Sequence, residues 1–496
     1  MKGSIWTLTG HVAPLLFSFF ATPFVIRLLG AEAYGVFILI GLIPTYFNFA
    51  DFGMGLASTK FGSEAYASSD ADREARIVRT AGFIALGTSL PIALAMMVFS
   101  GWIISFFSVP DEFQGEAILA LKIAAATFVL NFLNTIFNSP QLVRLRMDLN
   151  TLAIAVPRIV GVIATPLVIY AGGGIVGAVF VLFSASLLTF IVNLYFSRRL
   201  LSELIGLSIE REMVGPLIKF GGALVIATIA GVFLINFEKL VLARVTSVET
   251  LAHYAIAFTL ANMVTIFTTA MAQSLVPAFS QLGSPEKFKQ LEVLYARSLR
   301  VNIFALLPSL VILAIIAKPF FTVWAGPEFG VESPLPFYIL LAGLFFNLNA
   351  YIPWSVMLAQ GRTDVLAKLY WIELFPYIGL TALLTYYLGA AGAAAAWSIR
   401  VISESYVFFR YARRLSGVNF PLGNYLRTLI LGSSILLLPL LWAVFVDNLS
   451  PWLLLGIPAS LTLYSILVWK FIIEPEEKTW VAQRTNNLYN RIFHFV

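Results

Sequence analysis

The chain has no cysteine, which excludes disulfides and thiolate metal sites and leaves the redox compartment open. Its three histidines, His11, His253 and His494, are scattered and form no spaced metal-ligand set. Charge is scarce: 12% of residues are Asp, Glu, Lys or Arg, against about 25% in a soluble domain. No Gly-x-x-x-x-Gly-Lys-Ser/Thr loop and no Gly-x-Ser-x-Gly elbow occurs, so neither route to nucleotide or ester hydrolysis is present. Alternating short strands are lacking, which excludes a membrane barrel. The net charge of +6 has no clustered basic domain behind it and is no nucleic-acid footprint. The polar loops that a membrane glycosyltransferase would need to hold acids over the bilayer are too short here, and no enzyme is expected.

What the chain does have is grease: 59% hydrophobic residues, in runs of about 20 from end to end, long enough to cross a bilayer. The expected fold is an all-α polytopic membrane protein of about fourteen transmembrane helices: 5–27, 34–58, 80–107, 115–139, 151–171, 175–197, 217–245, 251–279, 301–324, 334–359, 369–388, 391–410, 428–446 and 452–473. The first run is too long for a signal-peptide core and reads as a retained span. Sorting the connections by alternate sides separates charge cleanly. The segments 59–79, 140–150, 198–216, 280–300, 360–368, 411–427 and 474–496 each carry Lys or Arg. The segments 28–33, 108–114, 172–174, 246–250, 325–333, 389–390 and 447–451 carry none. Positive loops stay inside, so both termini are expected in the cytoplasm.

An internal echo accompanies this plan. Arg27-Leu-Leu-Gly-Ala-Glu32 and Arg244-Val-Thr-Ser-Val-Glu249 share their Arg-to-Glu spacing, each at an outward hairpin that opens a new span, the second and the eighth. The even offset of six spans gives repeats of one orientation, related about the membrane normal. It implies an amino-terminal lobe over 1–200, a second over 201–415, an extra span pair over 416–473 and a cytoplasmic tail over 474–496. Within the hairpin, Arg27 suits the carboxyl end of one helix, Gly30 ends it, and Glu32 suits the start of the next. Arg244 and Glu249 repeat those roles.

Ionisable residues inside spans are costly unless they meet a cavity, a partner or the interface. Arg400 is about nine residues, or about 14 Å, into its span, with Glu404 on the same face at i+4. This is either a cationic site on a pathway with its local counter-charge, or a pair that fixes helix packing. Lys122 and Arg158 are each about 10 Å inside opposite faces of the first half. Lys239 and Lys318, nearer outer ends, complete the candidate substrate-binding cations, with snorkelling as the alternative reading. Glu373, Glu404, Asp51 and Glu238 are the candidate coupling or charge-partner acids. Deep cations in both halves suit an anionic or amphipathic substrate. Prolines within spans, among them Pro14, Pro23, Pro44, Pro157 and Pro376, mark places where helices can bend.

The stretch Arg27–Phe37 (RLLGAEAYGVF), followed by Phe49-Ala-Asp-Phe-Gly-Met-Gly55, resembles the start of the polysaccharide flippases. These are the Wzx-type, O-antigen and exopolysaccharide branch of the MOP (multidrug/oligosaccharidyl-lipid/polysaccharide) transporter superfamily. Asn236-Phe-Glu-Lys-Leu-Val-Leu242 and Tyr254-Ala-Ile-Ala257 resemble its seventh and eighth spans, with Glu238 and Lys239 where an Asp-Arg pair is common. The resemblance implies a secondary transporter in the bacterial inner membrane. It would move undecaprenyl-diphosphate-linked oligosaccharides from the inner to the outer leaflet by alternating access between two six-helix lobes. Its partners would be the lipid-linked glycan, membrane lipid and the polysaccharide polymerase machinery, with no nucleic acid. No bound cofactor is expected, and proton or sodium coupling stays open. The alternatives are a lipid II flippase, a multidrug or cation antiporter of the same superfamily, which would favour twelve spans and acid-dominated lobes, and a membrane enzyme of glycan assembly.

Overall fold

The computed structural model describes residues 2–204, 209–419, 422–445, 451–475 and 477–479. Helix is the only regular element among them, as expected of a backbone that must satisfy its hydrogen bonds without water. In order the helices are α1 (Lys2–Leu29), α2 (Ala31–Leu42), α3 (Met54–Ala67), α4 (Ala71–Val98), α5 (Ser100–Ser105), α6 (Asp111–Phe137), α7 (Ser139–Val143), α8 (Met147–Val168) and α9 (Gly174–Leu200). There follow α10 (Arg211–Val245), α11 (Val248–Met263), α12 (Thr265–Gln281), α13 (Phe288–Trp324), α14 (Pro327–Glu332), α15 (Pro334–Ala359), α16 (Thr363–Ser416), α17 (Leu422–Phe445) and α18 (Pro451–Phe471).

Among the described residues, eight continuous helical stretches are long and apolar enough to cross a membrane, or nine if α11 and α12, bent by 42°, form one span. Two stretches, Met147–Leu200 and Thr363–Ser416, run for 54 residues each. That is about 80 Å of helix against a hydrocarbon core of about 30 Å. Each breaks at a glycine outside the helical region, Gly172 at φ +90 and Gly389 at φ +54, within connections that carry no Lys or Arg. After the first break α8 and α9 pack side by side, with Gly161 against Ala185. After the second, Gly392 rests on the Leu384 carbonyl, where a side chain would overlap main chain.

The second expected span is not one regular helix. Between α2 and α3 the chain tightens into a 3-10 segment, Ile43–Asp51, and then passes through two left-handed residues, Phe52 (φ +46) and Gly53 (φ +61). Pro44 cannot donate to an α-helical ladder, and Thr45 Oγ1 donates to the Leu42 carbonyl at 2.6 Å. Helix then resumes to Ala67, past the expected end at residue 58.

The chain packs into two compact units. The first comprises residues 1–256, 324–326 and 366–396; the second comprises 257–323, 327–365 and 397–496. Packing and chain order thus divide the helices differently: α10 and part of α16 pack with the amino-terminal helices. In the first unit, α9 is joined to α6 and α7 by amide and hydroxyl hydrogen bonds. Asn134 Nδ2 donates to the Ser186 carbonyl at 3.1 Å, Ser186 Oγ to Asn131 Oδ1 at 2.7 Å, and Gln141 Nε2 to Asn193 Oδ1 at 3.2 Å. Each such bond between membrane helices contributes about 0.6 kcal/mol. The connector after α9 is strapped to α4, where Arg79 donates to the Glu203 carbonyl at 3.1 Å and Thr80 Oγ1 accepts from the Glu210 amide at 2.9 Å.

Also in this unit, Arg144 forks onto the fully buried Glu74 at 2.6 and 3.0 Å and stacks over the Tyr66 ring at 4.8 Å. Removing one partner of a buried pair strands the other charge. Arg144→Ala is therefore expected to destabilise the protein by about 3–5 kcal/mol, read as thermal unfolding in detergent. The Arg144→Met/Glu74→Met double variant should recover most of the loss; a double variant as unstable as Arg144→Ala would refute this account.

In the second unit, α12 lies along α15. Asn302 of α13 donates to the Leu348 carbonyl at 3.2 Å and to Asn349 Oδ1 at 3.1 Å. The last pair, α17 and α18, attaches to α13 through Tyr464, whose hydroxyl donates to the Phe304 carbonyl at 2.9 Å and whose ring covers Gly432.

Candidate functional site

Among the candidate residues, two buried charge pairs are prominent, one in each unit. In the first unit, α10 carries Asn236, Glu238 and Lys239. Glu238 is 0% exposed and Lys239 8%. The Lys239 ammonium reaches Glu238 Oε1 at 3.5 Å and donates to Asn236 Oδ1 at 2.9 Å and to the Ile235 carbonyl at 3.2 Å. The other carboxylate oxygen, Oε2, accepts from the Tyr377 hydroxyl of α16 at 2.7 Å. Tyr46, whose ring lies 5.3 Å from that of Phe233, is within electrostatic reach of Glu238. Leu234, Leu374, Tyr377 and Ala396 form the buried apolar cluster beside these charges. A carboxylate bracketed by a hydroxyl and an ammonium keeps its charge compensated in apolar surroundings, and a proton passed to it from the ammonium leaves both groups neutral.

The second cluster is the Arg400–Glu404 pair of α16, which the i+4 spacing anticipated. The side chains are 9% and 8% exposed, and the contact measures 3.5 Å. The contact is longer than that of the Glu74–Arg144 pair, which closes to 2.6 Å. Tyr351 of α15 is within electrostatic reach of Glu404. The register of α16 on α15 is set just before Arg400, where Ser398 Oγ donates to the Ile339 carbonyl at 2.8 Å and Gly343 admits Ser398 at a distance no Cβ would tolerate.

The remaining candidates differ in exposure. Lys122 on α6, Arg158 on α8 and Lys318 on α13 are exposed. Glu373 on α16 is half-buried, with both carboxylate oxygens shielded. Asp51 ends the 3-10 segment, half-buried and near the Gly55 amide of α3. Tyr377, Tyr46 and Asn236 were missed by a search for charge, because neutral polar groups carry little depth signal. Tyr377 nevertheless follows Pro376 and lies three residues beyond the buried Leu374, on the packed face of its helix.

The echoed hairpins meet. Gly30 (φ +81) closes α1 by donating to the Ile26 carbonyl at 2.8 Å, and its own carbonyl opens α2 by accepting from Tyr34 at 3.0 Å. Arg27 and Glu32 are exposed on either side. In the second hairpin, Ser247 Oγ caps α11 by accepting from the Thr250 amide at 3.0 Å. Arg244 lies over the Phe106 ring at 4.8 Å, and Glu249 sits in the first turn of α11. Gly35 rests on the Val248 carbonyl, so closely that a Cβ would overlap it.

Residues 1–283, more than half of the chain, match the family model described as Polysaccharide biosynthesis protein. The chain belongs to that family. This polysaccharide biosynthesis protein is 23% identical over 413 residues to a Shigella flexneri protein named "Putative O-antigen transporter", a match covering 82% of this chain and 96% of that one. An inward-facing multidrug resistance MATE transporter of the MOP superfamily shares its fold with a TM-score of 0.69 at 15% identity, over 84% of this chain and 98% of its own. The lipid II flippase MurJ, in an inward closed conformation, matches with a TM-score of 0.68 at 16% identity, over 95% and 98%. The fold is that of the MOP transporters, and the protein is a multi-pass membrane protein whose relatives are transporters and flippases, not enzymes.

Proposed function

We propose that this polysaccharide biosynthesis protein flips undecaprenyl-diphosphate-linked oligosaccharide units from the inner to the outer leaflet of the bacterial inner membrane, by alternating access, for polysaccharide export. The observation that carries this reading is the burial of a guanidinium and a carboxylate, Arg400 and Glu404, in apolar helix of a member of a polysaccharide biosynthesis family. A guanidinium at that depth suits a diphosphate that must leave water to cross. Lys122, Arg158, Lys239 and Lys318 supply further positive charge along the route. Lobes 1–200 and 201–415 are the moving parts, with α10 and residues 366–396 of α16 travelling with the first, as their packing supports, and both termini are cytoplasmic, as the segregation of Lys and Arg supports.

The direct test is purified protein in proteoliposomes with a fluorescent undecaprenyl-diphosphate-linked oligosaccharide. Wild type is expected to deliver the lipid to the opposite leaflet. Formation of new glycosidic bonds, or export of cationic drugs with no effect on the lipid, would overturn the proposal. Lipid II as competitor addresses the nearest alternative, favoured by the match to MurJ over 95% of the chain: complete displacement at equal concentration would reassign the substrate.

Glu238 is the coupling group in this reading. Glu238→Gln keeps an acceptor for Tyr377 but strands the Lys239 ammonium, so it is combined with Lys239→Met, and Tyr377→Phe removes the donor. Losing a charge-assisted hydrogen bond of about 1.5–3 kcal/mol should slow gradient-driven flipping about ten- to hundredfold. The same variant under no gradient should match wild type. Equal slowing with and without a proton or sodium gradient would show Glu238 to be positional only.

A further inference from the structure

Beyond the last long helix, the chain places two carboxylates on two arginines of α13. Arg300 is only 3% exposed. Its Nη1 pairs with Glu474 and its Nη2 with Glu477 Oε1 at 2.5 Å. Arg297, at i−3 on the same helix, reaches that Glu477 oxygen through Nε at 2.9 Å. The second Glu477 oxygen accepts from the Glu474 amide at 3.1 Å, so one turn of chain presents both acids. Ile472, just before them, is buried with Ile303 and Phe304, which anchors the root of the turn. The Glu474 side chain is 54% exposed, so the occupant lies at the surface.

Planar guanidinium donors facing several oxygens match a phosphate as well as a carboxylate pair. Arg300 cannot shed its proton, and a buried guanidinium without an anion is strongly unfavourable. An incoming anion therefore replaces the carboxylates at lower cost than water does. We propose that Arg297 and Arg300 form a phosphate-class anion site, held in this arrangement by the protein's own Glu474 and Glu477, for which a phosphomonoester, diphosphate or phosphodiester headgroup exchanges. The site is separate from the Arg400 cluster, and the proposal does not rest on the flipping reading.

The test uses the full chain. Radiolabelled pyrophosphate binding in detergent probes a soluble anion, and native mass spectrometry of phosphatidylglycerol against phosphatidylcholine retained from mixed nanodiscs probes a headgroup. Glu474→Gln/Glu477→Gln is expected to bind at least one of these anions about tenfold tighter than wild type, as a competitor of about 1.4 kcal/mol is removed. The triple variant with Arg300→Gln, which removes the opposed charges together and keeps the fold, is expected to lose that gain. A gain with pyrophosphate alone assigns a soluble anion, and a gain with phosphatidylglycerol alone assigns a lipid headgroup. No gain with either, or a gain that survives Arg300→Gln, overturns the proposal and leaves a structural latch.

Discussion

Arg400→Ala is expected to abolish glycan translocation, and so is Arg400→Met/Glu404→Gln, the second in a protein that keeps its fold and inserts. The second variant decides the matter. Arg400 and Glu404 are both buried, so alanine alone strands Glu404, a defect costing about 3–5 kcal/mol that could silence the protein by unfolding it. Methionine fills the space of the arginine stem, and glutamine removes the stranded charge. Replacing both charges of a buried pair with well-packed groups is often neutral or stabilising, so thermal stability should stay within about 1.5 kcal/mol of wild type. If Arg400 meets the diphosphate, flipping should nonetheless fall at least about a hundredfold, the worth of two charge-assisted hydrogen bonds. Arg400→Glu should be worse than either, because two acids at i and i+4 repel where no solvent screens them. Normal flipping by the double variant would show that the pair only fixes the register of α16 on α15.

How much of this was legible beforehand follows from what each signal measures. Apolar runs report the cost of polar atoms in lipid, so helix positions were readable, and Gly172 and Gly389 break the two longest helices inside connections marked by missing positive charge. The Arg400–Glu404 contact was readable because i+4 geometry is local. The pairing of Glu74 with Arg144 was not: both lie in segments whose charge already had a topological explanation, and 70 residues separate them. The same screen hid Arg300 and Glu477. The 3-10 segment Ile43–Asp51 stayed hidden because proline is tolerated in membrane helices, so Pro44 alone does not say whether the chain bends or rewinds. Tyr377 was invisible for a third reason: its role depends on which helix packs against α10, and hydropathy carries no such information.

Gly35→Val is expected to stop transport by a different route, through the meeting of the two hairpins. A side chain at position 35 would overlap the Val248 carbonyl, and a main-chain oxygen cannot rotate away as a side-chain tip can. The Arg244–Glu249 hairpin is also clamped from its other side. Ser108 donates through its amide to the Ala243 carbonyl at 2.9 Å and through its hydroxyl to the Arg244 carbonyl at 3.1 Å. The strain must therefore move α2, at about 1–3 kcal/mol for an overpacked contact. A bias near the upper end of that range shifts a two-state equilibrium roughly a hundredfold, enough to empty the arrangement in which the hairpins touch. The chain has no cysteine, so a single Ala33→Cys on α2, where the side chain is 4% exposed, reports the opening: a membrane-impermeant thiol reagent should label it faster in Gly35→Val than in the Gly35 background, with Gly35→Ala between. Val248→Ala should not rescue, because the atom in the way belongs to the backbone. Wild-type transport by Gly35→Val would mean that α2 yields at no functional cost, and that the contact is packing rather than a closure the transporter must make and break.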